Sequence, residues 1–515
     1  MNTQSREVNS IRNIIVGIIN QVSILFLNIV ATTLFIKKLG TEYLGINGLF
    51  SNLFVLMSFA EFGIGTVMVY SLYEPIAKKD TKKIADIYGF FRKIYIIMSL
   101  ISAFIGILLI PILKYIVNTE ISINSVVLYY LLFLISMIIS NMIAYKTNLI
   151  IADQKTYIVG LYRFFFNTSA VIVQIIYLVI TANFTHYLII AFAKNVVYSL
   201  FISRRVNILY SFIKDKGSEN SISVKEKKQI FKKIKEVFGY NFAQSLLNGT
   251  DNIIISMLVG TVWVGYYSNY YAIIAGVMSL VDTVYASISA SIGNLIVEKN
   301  TENQYKLFKI SEIINFWITG FTTTCLYILL QDFIILWIGK KYLFDFKILI
   351  ILLVNYYIFC TMNSIRVFRA ASGMFEKVKH VMILAAFINI ILSILMGRIF
   401  GVFGILLATA ISALTTYYWY EPKLLIENKF GCSVKIYFMS QVKGFSLTII
   451  SVVITSLFVS MISEVTISAF IIKLAICFVI PNLFYFIVLN REEEFQEVLM
   501  MINRNFKRLT NRRKK

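Results

Sequence analysis

The chain has 515 residues, of which 58% are apolar and only 15% are charged, and its mean hydropathy is +0.76. This composition excludes a set of ordinary soluble domains. Runs of about 20 apolar residues follow one another with short polar breaks, which is the pattern of membrane-spanning helices. The net charge of +22 leaves two explanations open, a nucleic-acid partner or basic cytoplasmic loops that fix the topology.

Hydropathy predicts about fourteen spans in an all-α polytopic membrane protein. They lie near residues 11–36, 44–71, 88–112, 124–145, 157–181, 185–203, 238–259, 265–292, 309–337, 344–365, 378–398, 401–420, 440–462 and 466–489. With both termini in the cytoplasm, the outer loops hold few cations: Lys37, Lys38, Lys114, Lys340, Lys341, Lys347 and Arg398. Most of the remaining basic residues fall inside, as the positive-inside rule requires. A nucleic-acid partner is therefore not predicted.

Two basic segments lie outside the spans. The linker Asn207–Val237 begins with polar residues and continues as an amphipathic stretch, Val224–Val237. The tail after Arg491 places Phe495 and Val498 at helical spacing among charges. Both segments are predicted to lie on the inner membrane surface, and binding of a partner protein is the alternative.

A short glycine-containing sequence occurs twice. Leu39–Gly45 reads LGTEYLG, and Val259–Gly265 reads VGTVWVG, 220 residues later. Isolated polar residues within spans recur at nearly the same offset: Asn28 with Asn248, Glu61 with Asp282, Asn141 with Asn363, and Asn167 with Asn389. Such residues are rare at membrane depth, so these matches indicate an internal repeat. Its glycines, Gly40, Gly45, Gly260 and Gly265, are predicted to form tight turns, with a hinge as the alternative.

The repeat predicts two parallel six-helix lobes around a central cavity, because parallel repeats are related by an axis along the membrane normal. The predicted parts are an N-terminal lobe (1–206), a cytoplasmic basic linker (207–237), a C-terminal lobe (238–420), helices 13 and 14 (421–489) and a basic cytoplasmic tail (490–515).

Polar faces on spans one and seven are the predicted lining of this cavity. Span one contributes Gln21 and Asn28, and span seven contributes a longer stripe of Asn241, Gln244, Ser245, Asn248, Asp251 and Asn252. A polar stripe in contact with lipid is costly, so it must face protein or water. Hydrogen bonding between helices is the alternative to a wet cavity.

Four charged residues fall near mid-span: Glu61, Lys194, Asp251 and Asp282. An intramembrane ionisable residue is a candidate functional group. Lys194 could contact an anionic substrate or neutralise a carboxylate. The three carboxylates are candidates for coupling to H⁺ or Na⁺, with structural pairing as the alternative. Lys473 and Arg163 lie nearer span ends, where their side chains are expected to extend to the interface.

Motifs for catalysis or cofactor binding do not occur in a plausible setting. The two histidines are far apart, the four cysteines have no paired spacing, and there is no nucleotide-binding glycine loop or nucleophile elbow. The sequence therefore predicts neither an enzyme, nor a metal site, nor a bound cofactor.

A family resemblance adds to these observations. Two six-span repeats plus two terminal spans, the segments KLGTEYLG (Lys38–Gly45) and FAEFGIG (Phe59–Gly65), and the basic loop Lys78–Lys83 resemble the Wzx-type flippases. These belong to the multidrug/oligosaccharidyl-lipid/polysaccharide exporter superfamily. The resemblance implies a bacterial cytoplasmic-membrane protein that moves an undecaprenyl-diphosphate-linked oligosaccharide from the inner to the outer leaflet by alternating access. Its partners would be membrane lipids and other proteins of surface polysaccharide assembly.

The resemblance also implies site residues. Related lipid II flippases use arginines near the cytoplasmic end of span one and in the cavity, and run the lipid tail along spans thirteen and fourteen. Arg12 matches the first place, and Lys194 would serve in the cavity. The sequence departs from that pattern in having few mid-span cations and three mid-span acids.

The alternative function is a cation-coupled antiporter of the multidrug and toxin extrusion type, whose acidic cavity residues suit cationic drugs. Fourteen spans rather than twelve argue against it. A membrane glycosyltransferase would be expected to have a large outer loop, and the sequence contains none.

Overall fold

The computed structural model describes residues 27–58, 63–213, 222–297 and 301–500, except for the side chains of residues 248, 283, 284 and 286–297. Predictions for Arg12, Gln21 and Glu61 thus lie outside the described residues, as does the side chain of Asn248. The described chain consists of helices and connecting turns and contains no strand. The protein is an all-α polytopic membrane protein.

The chain forms two compact units, Met1–Ser268 and Asn269–Lys515. The division into lobes and linker made from the sequence stays a prediction. The first unit contains α1 (27–39), α2 (Thr41–Met57), α3 (Ile64–Ala77), α4 (Thr81–Leu109), α5 (Leu113–Ile116), α6 (Ile123–Ala152), α7 (Thr156–Thr181), α8 (Phe184–Leu209), α9 (Val224–Leu258) and the start of α10 (Thr261–Val297).

The described part of the second unit contains the rest of α10 and eight further α-helices. These are α11 (Thr301–Trp337), α12 (Phe346–Thr361), α13 (Asn363–Ala371), α14 (Phe375–Thr415), α15 (Tyr417–Phe430), α16 (Val434–Val459), α17 (Ile467–Leu489) and α18 (493–500).

Nine helical stretches within the described ranges are long and apolar enough to cross a membrane. One of them, Phe375–Phe430, has 56 residues and covers two predicted spans. Its backbone breaks at Gly401, where φ is 60° and ψ is −139°. Since this positive φ strains residues with a side chain, glycine permits the change of direction between the two spans.

The amphipathic stretch Val224–Val237 was predicted to lie on the membrane surface. In the structure it forms the first turns of α9 instead. Ile230 and Ile234 are buried in a core with Phe91 and Tyr145, so the apolar face of the stretch packs against protein rather than lipid. Lys83 Nζ lies 2.6 Å from Glu226 Oε2 and joins α4 to the start of α9.

The prediction of an interfacial tail is also wrong for the described part of that tail. Phe495 is fully buried beside Tyr485 and Leu489, and its ring centroid lies 5.6 Å from that of Trp317. Three ion pairs accompany this contact: Lys306–Glu497, Lys309–Glu494 and Lys443–Glu492. Helix α18 is therefore attached to the second unit by an apolar anchor and a rim of charge pairs.

Lys473 does not extend to the interface, contrary to the prediction. Its side chain is 7% exposed, and its Nζ lies 2.7 Å from Asp332 Oδ2. Helices α11 and α17 thus pair one basic and one acidic residue within the protein, which removes the cost of an isolated buried charge.

Of the four repeat glycines, two lie in turns and two lie in helices. Gly40 and Gly260 have φ values of 88° and 125° and directly precede α2 and α10. Gly45 and Gly265 are helical, so their prediction as turn residues is wrong. They lie instead where α2 and α10 pack closely together, and this close packing leaves no room for a Cβ at either position.

Candidate functional site

A cavity of about 270 Å³ lies among α1, α7 and α8 of the first unit. Its polar lining residues are Asn28, Asn167, Thr168, Gln174 and Lys194, and its apolar lining residues are Leu27, Ala170, Val171 and Ala191. The cavity therefore brings together two of the predicted binding residues, Asn28 and Lys194.

Helix α7 supplies much of the polar lining because Asn167 and Gln174 are two turns apart and share a face. Gln174 is 6% exposed, and its Nε2 donates to the backbone oxygen of Tyr187 at 3.0 Å. This bond ties α7 to α8 beside the cavity and fixes the amide of Gln174. Asn167 contacts the positively charged side chain of Lys194.

Lys194 lies ten residues after the first residue of α8 and fifteen before the last. At about 1.5 Å rise per residue, it is about 15 Å and about 22 Å from the helix ends. Its Nζ donates to Asn167 Oδ1 at 3.2 Å. A lysine ammonium has three hydrogen-bond donors, so this single amide contact leaves donors for a ligand.

The electrostatics of the site are positive. None of the salt bridges found among the described residues includes Lys194. Arg163 lies one turn before Asn167 on α7, close enough for its charge to act on Lys194. The described lining contains no carboxylate. Such a site can attract an anion and can hydrogen-bond hydroxyl groups through its amides.

The polar stripe of α9 does not belong to this cavity's described lining. Asn241 and Gln244 are half-buried, whereas Asp251 and Asn252 are buried at 6% and 5% exposure. Asn241 lies beside Gly63, at the start of α3, and Gly249 lies against Leu56 of α2. The part of the stripe at Asp251 and Asn252 is therefore buried, and Asn252 Oδ1 has no hydrogen-bond partner among the described residues. The role of the stripe as a cavity lining stays a prediction.

Asp282 belongs to the second unit. It is exposed on α10, where the charge of Arg366 acts on it. Its predicted role in ion coupling stays a prediction.

The position in the second unit that corresponds to Asn167 is fully buried. Asn389, which corresponds to Asn167, is fully buried, and its Nδ2 donates to Thr409 Oγ1 at 3.0 Å. A hydroxyl thus replaces the lysine as the partner of the repeated asparagine. The two units differ chemically at this position although the asparagine recurs.

Sequence reasoning missed two buried carboxyl groups of the second unit. Glu312 lies near the start of predicted span nine, and Glu421 directly follows predicted span twelve, so both resembled interface residues. In the structure they are 6% and 1% exposed. Arg369 Nε lies 3.0 Å from Glu421 Oε2, whereas Glu312 has no ion pair among the described residues. The sequence contains no local signal for this burial, because it arises from packing between distant helices.

Comparison with known proteins gives matches in structure only. No family model and no curated protein sequence matches the chain. The chain is similar to an inward-facing multidrug resistance MATE family transporter of the MOP superfamily, with a TM-score of 0.64 and 15% identity over 80% of this chain and 99% of the other. It is also similar to the lipid II flippase MurJ in an inward closed conformation, with a TM-score of 0.65 and 16% identity over 92% and 98%.

A third similar structure is a MOP superfamily transporter from Pyrococcus furiosus, with a TM-score of 0.59 and 14% identity over 82% of this chain and 97% of that chain. At such low identities these similarities establish a shared fold. The chain thus has the fold of these MOP superfamily transporters and of MurJ.

Proposed function

We propose that the protein is a flippase for an anionic lipid-linked oligosaccharide. The observation that carries the proposal is the cavity beside Lys194, which holds a cation at membrane depth and no carboxylate in its described lining. A phosphate or diphosphate group suits such a site, because a charge-assisted hydrogen bond is stronger than a neutral one. A cationic drug would be repelled by Lys194 and by nearby Arg163.

In this proposal, different lining residues bind the phosphate and the sugar parts of the head group. Lys194 would bind a phosphate oxygen through the ammonium donors that Asn167 does not use. The amides of Asn28 and Asn167 would hydrogen-bond sugar hydroxyls. These interactions replace the hydration that a charged and polar head group loses inside a membrane. The polyprenyl tail needs no such site, since it stays in lipid while the head group moves by alternating access.

The substrate class we propose is an undecaprenyl-diphosphate-linked oligosaccharide for surface polysaccharide, carried across a bacterial cytoplasmic membrane with both termini of the protein inside. Membrane lipids and other polysaccharide-assembly proteins would be its partners. Arg12 and Gln21 of span one would extend the binding surface. Coupling to H⁺ or Na⁺ would drive transport from the inner to the outer leaflet.

The second candidate is a cation-coupled multidrug antiporter. Asp251, buried on α9 at 6% exposure, favours it, because a carboxylate at membrane depth suits a cationic drug or a coupling ion. The similarity to MATE transporters is comparable to the similarity to MurJ and does not discriminate between the two.

The deciding experiment deletes the gene and measures two quantities. The flippase function predicts loss of surface polysaccharide and accumulation of lipid-linked oligosaccharide in the inner leaflet, both restored by the wild-type gene. Drug susceptibility should stay unchanged. Normal polysaccharide together with increased drug susceptibility would contradict the flippase and support the antiporter.

A further inference from the structure

Glu312 is a buried carboxyl group with no ion pair among the residues that the structure describes. It lies on α11 of the second unit and is 6% exposed. Its Oε2 accepts a hydrogen bond from Gln441 Nε2 at 2.8 Å. Its Oε1 has no hydrogen-bond partner among the described residues. An ionised carboxylate in such surroundings loses its hydration and gains only contacts with uncharged groups of the described residues in return.

The described groups that face Glu312 come from five helices and are uncharged side chains. They are Tyr285 of α10, Tyr357 of α12, Ser364 of α13, Tyr418 of α15, and Tyr437 and Gln441 of α16. The two arginines near this cluster, Arg366 and Arg369, contact other residues. Arg369 pairs with Glu421, and Arg366 donates to the backbone oxygen of Phe359 at 2.9 Å and to Asn363 Oδ1.

Two further buried atoms around this carboxyl group also lack partners among the described residues. They are Tyr437 OH and Gln441 Oε1, and both residues are 5% exposed. Buried polar atoms are nearly always hydrogen-bonded, so three unpartnered atoms in one cluster need a common explanation. When the carboxyl group is ionised, Glu312 Oε1 and Gln441 Oε1 are both hydrogen-bond acceptors, whereas a protonated Glu312 has a donor.

We propose that Glu312 binds an exchangeable proton. One carboxylate oxygen takes up H⁺ to form the carboxylic acid, and the charge of the group changes from −1 to zero. The new O–H can donate to an acceptor of the cluster, while Oε2 keeps its bond from Gln441. Release of the proton restores the carboxylate, so the step needs no other reactant.

The position of Glu312 gives the proton a short route to water. Lys309 precedes it by one helical turn on α11, and the side chain of Lys309 is 47% exposed where it pairs with Glu494. Glu312 is therefore about 5 Å along the helix axis from a solvated residue. A role for this proton in driving transport rests on the proposed function, whereas the proton site itself does not.

The test is infrared spectroscopy of the purified full-length protein between about pH 5 and about pH 9, where buried carboxyl groups titrate. The wild type should show a C=O band of a protonated carboxyl group that disappears as the pH rises. Glu312→Gln should lack this band, and it should fold, because the amide copies the shape and hydrogen bonds of the protonated acid. Identical carboxylic-acid bands in wild type and variant would overturn the proposal, as would a band unaffected by pH.

Carbodiimide labelling of the wild type gives a measurement that does not depend on a variant. The reagent modifies protonated carboxyl groups in apolar surroundings, so Glu312 should be labelled and labelling should fall at high pH. Glu421 is the internal control, because it is equally buried but paired with Arg369. Labelling of Glu421 but not Glu312 would overturn the proposal. Loss of Glu312 labelling on adding sodium chloride, but not potassium chloride, would overturn a proton-only site.

Discussion

Gly45 and Thr261 form a close helix contact that the internal repeat duplicates. A Cβ on Gly45 would overlap the backbone oxygen of Thr261, and a Cβ on Gly265 would overlap that of Thr41. Gly265 and Thr261 are the repeat counterparts of Gly45 and Thr41. Each repeat therefore contributes a glycine that packs against the threonine of the other repeat. The first turns of α2 and α10 thus cross with local two-fold pseudosymmetry.

The loop after α5 connects both sides of this crossing. The backbone oxygen of Asn118 accepts from Thr261 N at 3.0 Å. Glu42 Oε1 accepts from the Thr119 hydroxyl and from Glu120 N, the latter at 2.8 Å. The crossing is therefore held by backbone packing within it and by hydrogen bonds from one loop.

Alanine at Gly45 or Gly265 should separate the two helix starts. Overfilling a packed contact costs about 1–3 kcal/mol, which thermal unfolding of the purified protein would detect. Because both glycines act at one crossing, the double variant should lose less than the sum of the single losses. Gly89→Ala is the matched control, since a Cβ there has no neighbour within 4 Å. Equal melting temperatures for all three single variants would contradict the close contact.

Removal of the charge of Lys194 should reduce export without affecting membrane insertion. A hydrogen bond to a charged group contributes about 1.5–3 kcal/mol, so Lys194→Met should lower export by about tenfold or more at equal protein level. Lys194→Arg should retain more export than Lys194→Met, because it keeps the positive charge. Lys114→Met, which removes a lysine from the surface beside Tyr115, is the control. Full export by Lys194→Met would remove the residue from the site.

The buried pair Lys473–Asp332 should show strong coupling. Lys473→Met leaves Asp332 without its partner and should cost about 3–5 kcal/mol. Adding Asp332→Asn removes the remaining charge, so the double variant should unfold at a higher temperature than Lys473→Met. A double variant that is as unstable as the sum of both single changes would show that the pair is not coupled.

Phe495 should anchor α18 to the second unit. Phe495→Ala removes a fully buried ring and should cost about 3–5 kcal/mol of local stability. The emission of Trp317 would report the loss, with Trp317→Phe identifying its signal among the four tryptophans. Met500→Ala, 57% exposed on the same helix, should leave the emission unchanged. An unchanged spectrum for Phe495→Ala would contradict the anchor.

Acid should weaken the same attachment. Burial would raise the pKa of Glu494, but its own backbone hydrogen bond and Lys309 outweigh burial and hold the pKa below its usual range. Because the folded pKa is depressed, the stabilisation is present above the unfolded pKa and is lost as the pH falls through the folded pKa. Trp317 emission should change in that acidic window, and Glu494→Gln should remove the pH dependence. The same acid transition in Glu494→Gln would assign it to another group.

The positions of the membrane-spanning helices along the chain could be predicted from the sequence because their signals are local. Apolar runs fix the spans, and Gly40 and Gly260 mark equivalent turns before α2 and α10. Lys194 was also identifiable, since its distance from both ends of one apolar run places it at membrane depth.

Only the tertiary structure decided which side chains share a site. Asn167 was recognisable as a repeated residue, but its contact with Lys194 depends on how α7 packs against α8. The polar stripe of α9 predicted a cavity lining, and only the structure shows that Asp251 and Asn252 of this stripe are buried. Glu312 looked like an interface residue, because burial by five neighbouring helices leaves no trace near residue 312. Hydropathy and spacing along one helix determine depth, whereas the neighbours of a side chain depend on contacts between helices far apart in the chain.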